Sequence, residues 1–175
     1  MKQLISLSVV ITSCLLLSCQ KDVIQKQEEI NNKNPVLAAK SSKVKDRPFT
    51  GSYTTSSEIL QPPPFLKTRI TGAGHATHLG NGTCVALSTL DFSTQPPFQL
   101  GGTATFTAAN GDEFYTTFTG TSTPNVQGTF DIINTHMITG GTGRFQNATG
   151  SFVGYTVAFP GHTEGSIDYN GTISF

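Results

Sequence analysis

The 175-residue chain has no tryptophan, few charged side chains and three cysteines, and each shortage excludes something. Charged residues make up 13% of it, about half the usual share. Eleven Lys and Arg balance eleven Asp and Glu. With no basic excess, nothing directs the chain toward nucleic acid. Cys14 lies inside an apolar leader and Cys19 ends it. Cys84 is then the single thiol of the remainder, so a disulfide within that remainder is excluded. The run Thr83-Cys84-Val85-Ala86-Leu87 reads as strand, and Cys84 reads there as a small buried hydrophobe rather than a nucleophile. No G-x-S-x-G elbow occurs, and the carboxylates Glu58, Asp91, Asp112, Glu113, Asp131, Glu164 and Asp168 are scattered. No catalytic residue, metal or cofactor is assigned from these patterns.

What is abundant is glycine, threonine and phenylalanine, a composition that suits many short strands. Before them comes a leader. Lys2 precedes an apolar run over residues 4–17, too short to span a membrane comfortably and the right length for a secretory signal. The run ends in Leu16-Leu17-Ser18-Cys19, which resembles a bacterial lipobox. The resemblance implies cleavage before Cys19 and lipid attachment to its sulfur and new amino terminus, making a membrane the partner at that end. Gln20-Lys21-Asp22 resembles signals that send some Gram-negative lipoproteins to the outer face of the outer membrane. Residues 20–47 are rich in Gln, Glu, Asn, Lys and Ser and read as a flexible tether. The expected organisation is a signal peptide over 1–18, a lipidated tether over 19–47 and a folded domain over 48–175.

In the folded part, strands are expected over 49–55, 67–79, 83–92, 101–108, 112–121, 126–139, 145–159 and the last ten residues. Pro62-Pro63-Pro64 falls at a rim or edge, because proline cannot donate to a ladder. Gly72 and Gly74 suggest a bend. Asn110-Gly111 is the strongest hairpin signal. The last strand alternates cleanly: Ile167, Tyr169, Gly171, Ile173 and Phe175 on one face, Ser166, Asp168, Asn170, Thr172 and Ser174 on the other. Eight short strands fit an antiparallel barrel, whose interior holds side chains or one small ligand, though strand count alone leaves a sandwich open.

Residues 138–152 carry the densest turn signal. Gly140-Gly141-Thr142-Gly143 supplies positive backbone angles, and Arg144-Phe145 starts the next expected strand. A phosphate loop needs Lys-Ser/Thr after its last glycine, and Arg144-Phe145 stands there instead. T-G-G-T-G-R-F followed by A-T-G-S-F resembles the glycine-rich turn of the allene oxide cyclase and dirigent-protein superfamily, especially bacterial proteins with an allene-oxide-cyclase-like barrel. The segment Gly72-Ala73-Gly74-His75-Ala76-Thr77-His78-Leu79-Gly80 resembles a second recurring piece of those proteins. The likeness covers roughly residues 49–175. It implies one eight-stranded antiparallel, calycin-like β-barrel with an apolar interior cavity.

Candidate ligand contacts are His75, Arg144 and Tyr155. Alternation separates His75 from His78, which makes the pair a poor metal clamp and leaves one histidine inside and one outside. Arg144 either reaches into the barrel mouth toward an anionic ligand or ties the turn at the surface. His162, Glu164 and Asp168 share a face that reads as the wet exterior. The expected function is a lipid-anchored outer-membrane protein whose barrel takes a small hydrophobic or amphipathic ligand. The alternatives are a cyclase- or dirigent-type enzyme acting on a bound intermediate, and a structural or adhesive envelope protein. Oligomer formation is left open.

Overall fold

The structure, a computed structural model, describes residues 45–175. The expected leader, tether and lipidated Cys19 lie outside those residues. Eight antiparallel strands close into one barrel in sequence order: β1 (Arg47–Gln61), β2 (Phe65–Ala76), β3 (Gly80–Asp91), β4 (Phe98–Thr107), β5 (Glu113–Pro124), β6 (Phe130–Gly141), β7 (Thr149–Ala158) and β8 (Glu164–Ser174). β1 pairs with β2 on one side and β8 on the other, which removes every sheet edge. The barrel expected from the strand pattern is therefore the fold.

Side-chain alternation sets the interior. Phe49 and Tyr53, Ala104 and Phe106, Phe114, Thr116 and Phe118, and Tyr169 and Ile173 all point inward and are buried. Phe106 lies at the centre, stacked on Phe114 at 4.8 Å and edge-on to Phe152 at 5.5 Å and Tyr169 at 5.4 Å. Burying each such ring contributes roughly 1.5–3 kcal/mol before entropy is counted. Glycines within strands make room for the rings. A Cβ on Gly102 would stand 2.8 Å from the Phe118 ring, and one on Gly154 would stand 2.9 Å from the Tyr169 ring. Gly72 and Gly74 lie within continuous β2 and admit close neighbours: a Cβ at Gly72 would stand 2.7 Å from Cys84 Sγ, and one at Gly74 would lie 2.1 Å from the Ser52 carbonyl oxygen.

Two local expectations are corrected. Gly143–Phe145 is a 3-10 turn rather than the start of a strand, and β7 begins only at Thr149. Gly140 and Gly143 take positive φ, and the amide N–H groups of Phe145 and Ala148 donate to the Thr142 and Phe145 carbonyls. The turn drives Phe145 inward, fully buried against Phe114, and so helps seal one end of the barrel. β1 also runs on past Thr55 to Gln61. Its polar Ser-Ser-Glu segment has weak strand propensity, but it is ladder-bonded to β2 up to Gln61 and to β8 up to Ser56.

Candidate functional site

The two ends of the barrel differ. At the end where β1 enters, Phe49, Phe114, Phe145, Ala148 and Ile173 are buried and close the interior. At the other end, the inward positions of β1, β2 and β3 are only half-buried. Above buried Tyr53 come Thr55 and Ser57; above Gly72 come Ile70 and Thr68; above Cys84 come Ala86 and Ser88. Ile167 follows Tyr169 in the same way on β8. On these four strands the interior surface thus changes from sealed to half-buried about one step above the Tyr53–Cys84–Tyr169 level, while on β4 and β5 Leu100 and Ser122 stay buried. The upper half is a funnel open along the β8, β1, β2 and β3 side. Hydroxyl side chains line one wall, and Phe92, Phe98 and Phe130, with ring centroids 4.7–6.4 Å apart, stand at its mouth.

A seam opens in the funnel wall. The ladder joining β7 to β8 runs from Thr149 opposite Ser174 to Tyr155 opposite Asp168 and stops there. Beyond it, β7 stays paired to β6 as far as Ala158, and β8 stays paired to β1 as far as Glu164. A cavity of about 250 Å³ occupies the gap, lined by Tyr155, Thr156, Val157, Phe159, Glu164, Gly165, Ser166 and Asp168.

The funnel floor is polar but uncharged. Tyr53 is 1% exposed, and its hydroxyl has no hydrogen-bond partner among the described residues. Burial, and secondarily the nearby Cys84 thiol, raises its pKa. Tyr169 is raised by burial first, then by Cys84 and Tyr53. Burial pushes the Cys84 thiol up to about 11, so it is a thiol rather than a nucleophilic thiolate near neutrality. Nearby, His136 stacks on Phe152 at 4.7 Å with 10° between the planes. Its Nδ1 lies 3.0 Å from Thr116 Oγ1 and its Nε2 3.1 Å from Asn134 Oδ1. Asn134 Oδ1 is an acceptor, which assigns the proton to Nε2 and leaves Nδ1 to accept from Thr116. Burial lowers its pKa to about 3, so the ring is neutral.

The residues singled out from sequence lie elsewhere. His75 points outward on β2 and lines an open external groove of about 770 Å³ with Asn81, Thr83 and Thr107. Tyr155 is also outward and sits at the seam. Arg144 is at the closed end. Its Nη2 donates to the His78 carbonyl at 2.5 Å, its Nε is 3.7 Å from Asp112 Oδ2, and its guanidinium lies over the Phe145 ring at 4.8 Å. That geometry ties three turns together. Glu164 and Asp168 are exposed on β8, and no group of three metal-ligating side chains forms among the described residues. The floor residues Tyr53, Cys84, His136 and Tyr169 were not marked as a site. Alternation continued from Ile132 through Asn134 is the sequence signal that would have placed His136 inside.

No protein-family model matches the chain, and no curated protein matches it.

Proposed function

We propose that the chain is a cell-envelope lipoprotein, anchored through Cys19, whose barrel holds a small hydrophobic or amphipathic molecule in its open half. The observation that supports ligand holding is the change from sealed to accessible inward positions above Tyr53, on four adjacent strands, beside a seam in the wall. Barrels of eight strands have room for one small ligand where side chains do not fill them. The lipobox-like Leu16-Leu17-Ser18-Cys19 supports the anchor, and Gln20-Lys21-Asp22 supports the outer membrane as the location.

Mass spectrometry of the full chain gently extracted from membranes tests both parts. Under denaturing conditions the expected mass is that of residues 19–175 plus acyl groups. Under native conditions a second, discrete added mass is expected, and it should vanish on denaturation. An unacylated chain contradicts the anchor. A bare native mass, with no thermal shift across a lipid and metabolite panel, contradicts ligand holding and favours a structural envelope role.

A further inference from the structure

Between Phe49 and Ile173, no inward strand position carries Asp, Glu, Lys or Arg. Arg47, at the lip of the closed end, lies over the Phe175 ring at 4.4 Å and is outside the funnel. The titratable groups at the floor are held neutral by burial: Tyr53 and Cys84 upward, His136 downward. Away from the β7–β8 seam, the main-chain N–H and C=O groups of the wall are committed to the ladders. An ion entering the funnel would lose its water and find no counter-charge, which is costly. Glu164 and Asp168 flank the seam and further oppose an anionic head group.

Two buried hydroxyls inside the barrel lack a partner among the described residues, Ser122 on β5 and Tyr53 at the floor. The Tyr53 hydroxyl is the one on the half-buried side of the barrel, on the same face of β1 as Thr55 and Ser57. A neutral phenol donates well to a hydroxyl, ether or carbonyl oxygen. We infer that the funnel selects an uncharged ligand, with an apolar body against the aromatic side and an oxygen acceptor bound by the Tyr53 hydroxyl. This rests on the ligand-holding reading above and narrows it to a chemical class.

Because the chain has no tryptophan and four tyrosines, naphthalene emission read to the red of tyrosine emission reports binding. Three probes of matched size separate the classes at pH 7: 2-naphthalenemethanol, 2-naphthoate and 2-naphthylmethylammonium, titrated into the full mature chain. The alcohol is expected to bind at least tenfold more tightly than either ion. Tyr53→Phe should weaken the alcohol roughly 3- to 10-fold, the worth of one neutral hydrogen bond. The same variant should raise the melting temperature of the free protein by a few degrees, because it removes a buried hydroxyl that has no partner. An ion binding as well as the alcohol overturns the uncharged class while leaving a ligand-holding barrel. Unchanged alcohol affinity in Tyr53→Phe overturns the role of that hydroxyl. If no probe binds, the ligand-holding reading falls and this inference with it.

Discussion

Acidification from pH 7 to pH 3 is expected to remove roughly 4–5 kcal/mol of folding stability through His136 alone. The ring is 2% exposed and sandwiched among Phe118, Phe152 and Tyr169, with Thr116 and Asn134 taking its two nitrogens. No carboxylate faces it, so burial alone drives its pKa down to about 3. The sign follows from proton counting. Below about pH 6.5 the unfolded chain protonates this histidine while the folded chain does not, so the unfolded state binds more protons and stability falls as pH falls. The loss is at most about 1.4 kcal/mol per pH unit and levels off once the folded pKa is passed. Urea midpoints at pH 7, 5 and 4 check it, with His136→Gln as the comparison. The wild-type slope should exceed that of the variant by close to this amount. Parallel slopes would show that His136 is not held neutral by the fold.

Phe106→Ala is expected to cost roughly 3–5 kcal/mol, the range for removing a fully enclosed aromatic ring. Phe106 is 0% exposed and meets Phe49, Tyr53, Phe114, His136, Phe152 and Tyr169 at centroid distances of 4.8–6.5 Å. These neighbours sit on five strands, so no single strand can shift to refill the space. The melting temperature should drop by roughly 10–20 °C. Met137→Ala, on the outer face of β6 and 54% exposed, should change stability by less than about 0.5 kcal/mol. A loss under about 1 kcal/mol at Phe106 would mean that the sealed half is loosely filled.

The barrel was legible in the chain because its strands alternate. Tyr169, Gly171 and Ile173 against Asp168, Asn170 and Thr172 separate an apolar from a polar face on β8. Asn110-Gly111 announced its hairpin, and Gly111 takes φ +87° there. The site was less legible for two physical reasons. Parity within a strand is visible in sequence, but which parity faces inward depends on partner strands. From sequence, His75 and Tyr155 are therefore candidates and Tyr53 is not, although His75 and Tyr155 both point out. The second reason is that the seam is a property of pairing. β7 and β8 part after Tyr155 and Asp168 because each keeps its other neighbour, and nothing in either strand alone marks that point. The glycine turn, the densest motif in the chain, proved to seal the end opposite the funnel.

The most direct test of the funnel is methyl NMR of the full mature chain titrated with 2-naphthalenemethanol. Ile70, Ile132 and Ile167 face the open half, Ile138 and Ile173 lie buried in the sealed half, and Ile133 points outward. Saturable shifts confined to Ile70, Ile132 and Ile167, with Ile138, Ile173 and Ile133 unmoved, are the expected result. Shifts centred on Ile133, or none at any isoleucine, would contradict a ligand held inside the open half of this barrel.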